Sequence, residues 1–223
     1  PSISLSGITE GEFTNKTPAV TATVTDNYSN KNTIQYIVTV DNSPYQDKTY
    51  EGSEYSFKEF NRDGRYVITA IATDPAGNTS AQGILTFTKD TVAPVLSLSG
   101  AKEGSFTTGA KNISANIKER NFSNMTVTAD IVRELDGQES NVGFPGIKPD
   151  SSNYTKSQSV NGTGTYTVTI SATDKAGNKA KTKKLTFTID NDAPVVEISG
   201  VGEINGYDST VAPEISYEDS YSE

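Results

Sequence analysis

GRYVITAIATDPAGN, residues 64–78, returns one hundred positions later as GTYTVTISATDKAGN, residues 164–178. Each copy opens on an alternating run, Tyr66, Ile68, Ala70 and Ala72 in the first and Tyr166, Val168, Ile170 and Ala172 in the second. Apolar residues at every second position put one face of a strand in a core and the other in solvent. Each run then meets a turn. Asp74 or Asp174 accepts hydrogen bonds from loop N–H groups, Gly77 or Gly177 takes a positive φ, and Asn78 or Asn178 tolerates left-handed backbone. The stretch is therefore a strand running into a hairpin turn, and it occurs twice.

Working outward, the repetition extends. LTFTKDTVAP at 85–94 returns as LTFTIDNDAP at 185–194, and PSISLSG at 1–7 returns as PVLSLSG at 94–100 and PVVEISG at 194–200. Further alternation runs through Ile3 and Leu5, through Val20, Ala22 and Val24, through Ile34, Tyr36, Val38 and Val40, and through Ile113, Ala115 and Ile117. Turn clusters separate these runs, and no sustained helical period interrupts them. The pattern predicts an all-β chain of tandem antiparallel β-sandwiches with about seven strands each. The units are expected at residues 1–92 and 93–192, with 193–223 holding the first two strands of an incomplete third. Two strands do not close a core, so that piece is expected to be poorly ordered or to borrow strands from a neighbouring molecule. Tyr66 and Tyr166 open the penultimate strand of their units, the place of a corner tyrosine.

Composition narrows the chemistry. Of 223 residues, 33% are hydrophobic, which predicts thin interiors, and Thr, Ser, Asn, Gly and Tyr fill the remainder. There is no histidine and no cysteine, which removes Ser-His-Asp and Cys-His catalysis and His-ligated metals. Absence of tryptophan removes the strongest anchor for sugar stacking. The net charge of −9 argues against nucleic acid and anionic membranes and accommodates divalent cations. No apolar run approaches the length of a spanning helix. A start at Pro1 without Met reads as a piece of something longer. Acid clusters in repeated positions of a repeated scaffold do not suggest an active site, and the chain is expected not to be an enzyme.

The G-x-Y strand start, the ATDxAGN turn, the LTFT strand and the xDxxAP linker together resemble tandem bacterial immunoglobulin-like domains of large cell-surface, adhesin-like proteins. The resemblance covers residues 1–193 as two whole domains and 194–223 as a fragment. It implies an extracellular stalk or spacer on a bacterial surface, whose partners are neighbouring domains of the same chain. A host protein or glycan is the alternative partner.

In such a sandwich the B–C and F–G loops share the end at which the preceding linker arrives. Acidic groups should then converge at each junction. At the first these are Asp90 of the linker, Glu119 of the B–C loop, and Asp174 with Asn178 of the F–G loop; at the second they are Asp190, Asn191 and Asp192, with Glu218 and Asp219 following. Calcium takes six to eight oxygens of this kind, and IDNDAP at 189–194 locally resembles the calcium-binding linkers of cadherins. The more acidic second linker is expected to be the better ion site. At the first, Lys118, Arg120 and Lys89 are expected to supply salt bridges in place of an ion.

Two other stretches stand out. NVGFPGIKP at 141–149 accounts for most of the extra length of unit two; its Phe144 and Ile147 form either a lid over the sandwich edge or a ligand-binding patch. In unit one an aromatic cluster occupies the equivalent region, with Tyr55 and Phe57 facing the core and Tyr45 and Tyr50 expected to be exposed. KAKTKK at 179–184 is basic in an acidic chain and reads as protection of a strand near a sheet edge, with an anionic glycan as the second reading.

Overall fold

The computed structural model describes residues 1–200, 213–219 and 221, and these residues form strands and turns without a helix. Unit one runs through β1 (Ser2–Ser6), β2 (Glu12–Thr14), β3 (Val20–Thr25), β4 (Thr33–Val40), β5 (Ser43–Glu51), β6 (Glu54–Phe57), β7 (Gly64–Thr73) and β8 (Gly83–Lys89). Unit two repeats the order with β9 (Val95–Ser99), β10 (Phe106–Thr107), β11 (Lys111–Lys118), β12 (Thr126–Leu135), β13 (Gln138–Asn141), β14 (Asn153–Val160), β15 (Gly164–Thr173) and β16 (Lys183–Ile189). In each, a three-stranded sheet (β1-β3-β6 or β14-β11-β9) faces a five-stranded one (β2-β8-β7-β4-β5 or β10-β16-β15-β12-β13).

Each unit thus has eight strands rather than seven, because its first strand is split between the two sheets. After β1 pairs antiparallel with β3, the chain crosses over and β2 pairs parallel with β8. Gly7 turns the corner at a φ of 107°, and Gly100 does so in unit two at 109°. A side chain at either place would overlap a carbonyl oxygen, that of Ala19 or Asn112, at about 2 Å. Only glycine supplies both the conformation and the space.

The predicted alternation is the core. Val20, Ala22, Ile34, Tyr36, Val38, Tyr66, Ile68, Ala70, Ala72 and Phe87 are buried in unit one; Ile113, Ala115, Ile117, Tyr166, Val168, Ile170 and Phe187 are buried in unit two. The corner tyrosines are present: the Tyr66 hydroxyl donates to the Arg62 carbonyl at 2.7 Å, and the Tyr166 hydroxyl donates to the Gly162 carbonyl at 3.0 Å. Tyr45 and Tyr50 are half-buried, contrary to their expected exposure. Tyr50 stacks on Tyr55 and Tyr45 meets Tyr66 edge-on, so the aromatics close the open side of the sandwich between β5 and β6. Such pairs add about 0.5–1.5 kcal/mol each beyond the burial itself.

Unit two closes the same side differently. Its β13 is short, and residues 142–152 fold back instead. Phe144 is buried in the core with Ile131 and Val160, and Ile147 packs half-buried against the same cluster. Proline and glycine around them leave no strand to pair, so side-chain burial fixes the segment. Both side chains thus face the sandwich, in the position of a lid over its edge.

Beyond unit two, β17 (Val195–Ser199) pairs antiparallel with β18 (Glu214–Glu218). These are the two expected strands. Val196, Ile198, Ile215 and Tyr217 are exposed, whereas Leu96 and Ile117, one hundred positions before Val196 and Tyr217, are buried. No second sheet covers the pair among the described residues.

The buried phenols predict an asymmetry in base. Tyr36 accepts the Ala22 N–H and donates to the Tyr55 carbonyl, both at 2.8 Å. Burial pushes the Tyr36 and Tyr66 phenols up to about 12, against about 10 in an unfolded chain. A raised folded pKa keeps its stability below about pH 10 and loses it as the pH climbs towards 12. Unit two has one phenol raised in this way, Tyr166. Unit one is therefore expected to unfold first in an alkaline titration followed by calorimetry; simultaneous loss of both units would contradict this.

Candidate functional site

The first junction gathers side chains from three segments. Asp90 follows β8 in the linker, Glu119 follows β11, and Asp174 follows β15. Their carboxylate oxygens lie within 4.8 Å of one another, and all three residues are buried. The F–G turn sets Asp174: its Oδ1 accepts the Asn178 N–H and its Oδ2 accepts the Asn178 side-chain amide, both at 2.8 Å. The same amide also reaches the Asp90 carbonyl at 2.8 Å. Asn178 thus ties the turn of unit two to the linker from unit one.

Asp90 is held from both sides. Its Oδ1 accepts the Val92 N–H at 3.0 Å, its Oδ2 accepts the Asn121 amide at 2.6 Å, and its own N–H donates to the Thr14 carbonyl at 3.0 Å. Glu119 Oε1 accepts the Asn121 N–H at 2.7 Å. Burial pushes the Glu119 carboxyl above the ordinary glutamate value, and the charges of Asp90 and Asp174 push it further, against the Asn121 hydrogen bond. Glu119 also lines an open cleft of about 400 Å³ with Val92, Lys118 and Arg120, so the cluster communicates with solvent.

The expected salt bridges are not made. Lys89 turns inward, and its ammonium donates to the Phe60 carbonyl at 2.8 Å and to Thr17. Residues alternate along β8, so the side chain before Asp90 must point into the sandwich. Arg120 reaches across the junction to Asp41 at 2.9 Å. Among the described residues no ion pair reaches Asp90, Glu119 or Asp174. Three buried carboxylates sharing one space without a cation is an unfavourable arrangement of charge.

The second junction is looser. Asp190 Oδ1 accepts the Asp192 N–H at 3.1 Å, Asn191 accepts the Gly109 N–H at 2.7 Å, and Asp219 accepts the Tyr221 N–H at 2.9 Å. Asp192 and Glu218 are exposed. Among the described residues these acids form no metal-sized group. The grouping therefore lies at the first junction, whose linker is the less acidic, because a third segment closes over it.

Three contacts carry no signal in the repeat. Asn121 bridges Glu119 and Asp90; its place directly after the Glu-Arg pair is the only clue to it in the sequence. Asp41 occupies the left-handed first position of the β4–β5 turn, with φ 49°, which aims it at the next unit. Lys175, the variable residue of the TDxAGN turn, lies 4.2 Å over the Phe13 ring. The Arg120–Asp41 pair is exposed and contributes at most about 1 kcal/mol, as does the exposed cation–π contact. Their value is orientation.

A family model described as "Bacterial Ig-like domain" matches residues 97–191. No curated protein matches the chain. Among solved structures, the chain is similar to the fibronectin(III)-like modules of CbhA from Clostridium thermocellum, with 13% identity and a TM-score of 0.33, over 84% of this chain and 93% of that one. It is also similar to the FN1-FN3 domains of chicken CNTN1, with 13% identity and a TM-score of 0.31, over 85% of this chain and 68% of that one. No described helix is long and apolar enough to cross a membrane, which says nothing of β-barrels. The chain folds as tandem Ig-like β-sandwiches, and the second of them matches the bacterial Ig-like domain family.

Proposed function

We propose that this chain is a spacer segment of an extracellular bacterial surface protein, and that its first junction is a joint stiffened by a divalent cation. One observation carries the reading: Asp90, Glu119 and Asp174 converge, buried, with no protein cation among them. A spacer needs a fixed angle between its units, and this joint draws on the linker, both adjoining loops of unit two and the end of unit one. The donors are carboxylate oxygens, which suits calcium rather than a transition metal. Asp90, Glu119 and Asp174 would hold the ion, with Asn121 orienting the first two and Asn178 the third. Bound charge would offset the repulsion that burial creates.

The binding-module alternative loses its anchor, since Phe144 is buried. Attachment to a host glycan or an adhesin head is a property of whatever protein carries this segment.

The test is small-angle scattering of the chain in calcium and in chelator. Calcium is expected to narrow the spread of interunit angles and to raise the thermal midpoint, and Asp174→Asn is expected to abolish both effects. Identical scattering and melting in the two buffers would remove the cation from the joint.

A further inference from the structure

The two units differ most sharply in charge just after the F–G turn. Residues 73–86 read TDPAGNTSAQGILT, and residues 173–186 read TDKAGNKAKTKKLT. Lys175, Lys179, Lys181, Lys183 and Lys184 therefore stand where unit one has Pro75, Thr79, Ala81, Gly83 and Ile84. All five lysines are exposed. Among the described residues no ion pair reaches any of them. Lys175 is engaged over the Phe13 ring; the other four point to solvent.

Protection of a sheet edge does not account for them. β16 pairs with β10 only at Thr188 and Ile189, so residues 183–185 have a neighbouring strand on one side alone. Lysine on such an edge ordinarily blunts it against pairing. Unit one has the same open edge, since β8 pairs with β2 only from Phe87 to Lys89. Its residues 83–85 are Gly, Ile and Leu, without a charge. One edge is kept without lysines, so the lysines of the other answer to something else.

The strip is short and narrow. From Lys179 to Lys184 the chain spans at most about 18 Å. Glu103 lies at one border, where its carboxylate accepts the Thr186 N–H. Asp130 lies at the other, across Thr169 from Lys184 and two strands away, at about 10 Å. Taking five positive charges from a net charge of −9 leaves −14 on the rest of the chain. A bilayer or a duplex laid on the strip would meet those acids within about a Debye length, 8 Å at physiological ionic strength. A single polymer strand can follow the lysines and pass the acids by. Single-stranded nucleic acid is as thin, but it binds by stacking its bases on aromatic rings, and the ring beside the run, Phe13, is already covered by Lys175. Lysine is a compact charge on a flexible stem, which suits ionic groups repeated along a polymer without fixed geometry.

We propose that Lys179, Lys181, Lys183 and Lys184, with Lys175 at the head of the strip, bind a linear acidic glycan whose repeating units carry sulfate or carboxylate groups. The inference goes beyond the spacer reading. It gives unit two a lateral attachment of its own and needs neither a cation at the joint nor a fixed angle between units.

The test is titration of the whole chain with a heparin oligosaccharide, in chelator so that calcium cannot bridge the two. Binding is expected, and it should weaken as salt is raised. Lys179→Gln, Lys181→Gln, Lys183→Gln and Lys184→Gln together are expected to weaken it at least about tenfold, since one exposed charge pair is worth up to about fivefold, while calorimetry shows unit two melting as before. A second variant removes the same total charge from exposed lysines elsewhere: Lys31→Gln, Lys58→Gln, Lys102→Gln and Lys148→Gln. It is expected to keep wild-type affinity. Equal loss in the two variants would mean that net charge alone is read, and overturns the site. No binding at low salt overturns it as well. Equal affinity for oligo(dT) or for phosphatidylserine vesicles overturns the assignment to a glycan. None of these results depends on the joint, so a failure here leaves the stiff-joint reading standing.

Discussion

Phe144→Ala is expected to destabilise unit two by about 3–5 kcal/mol, the usual cost of deleting a buried phenylalanine. The ring is 5% exposed and packs with Ile131, Val160 and the rest of the unit-two core. The segment around it makes few backbone bonds: Val142 and Gly143 both donate to the Ile131 carbonyl, at 2.8 and 3.2 Å. Without the ring, little holds the lid, and the side of the sandwich between β13 and β14 opens to water. For a domain of this size each kcal/mol moves the midpoint by about 4–8 °C. Calorimetry should therefore show the unit-two transition falling by more than about 10 °C while that of unit one stays in place. Unchanged melting would mean that the ring contributes nothing to the core and would return the segment to the candidates for a ligand surface.

That segment shows where the sequence is readable and where it is not. Phe144 lies among Gly143, Pro145 and Gly146, so no periodicity says which way it faces. In the strands the opposite is true. Tyr66, Ile68, Ala70 and Ala72 alternate, and all four are buried. Period-2 patterning reports a face directly, whereas an irregular loop reports only its composition. Tyr50 falls between these cases. It sits on an edge strand whose outer neighbours are polar, and only the approach of Tyr55 from β6 covers it.

The split of the first strand is hidden for another reason. PSISLSG reads as one strand ending at a glycine. What the chain does next depends on Gly7 meeting the Ala19 carbonyl, and a contact between residues twelve apart leaves no mark in either segment. The junction is legible as topology and not as chemistry. That Asp90, Glu119 and Asp174 share one end of a sandwich follows from loop order. That Lys89 fails to neutralise them follows from alternation along β8, a rule that applies to the sequence directly. Net charge per segment, by contrast, says nothing of enclosure: Asp190 is half-buried and Asp192 exposed, whereas the acids of the first junction are buried, and enclosure, not count, makes a carboxylate need a partner.

Glu119→Gln is expected to reverse the sign of its effect between chelator and calcium. In chelator the wild-type cluster holds three carboxylates within 4.8 Å. Two unit charges at about 4 Å repel by about 4 kcal/mol at an effective dielectric constant of 20, and protonation of Glu119, whose carboxyl is already pushed upward, relieves part of this. Glutamine keeps the oxygen that accepts the Asn121 N–H and removes one charge, so the variant should melt higher than wild type by an amount worth roughly 1–3 kcal/mol. In calcium the order inverts. A site occupied at one hundred times its dissociation constant adds about 2.7 kcal/mol to the protein that binds, and the variant, short of a ligand charge, gains less at the same concentration. Melting both proteins in both buffers gives the crossing in four curves. Parallel shifts would mean that Glu119 acts only as a poorly solvated acid. A variant less stable than wild type in chelator would mean that its charge is already balanced within the chain, and that the joint has no need of an ion.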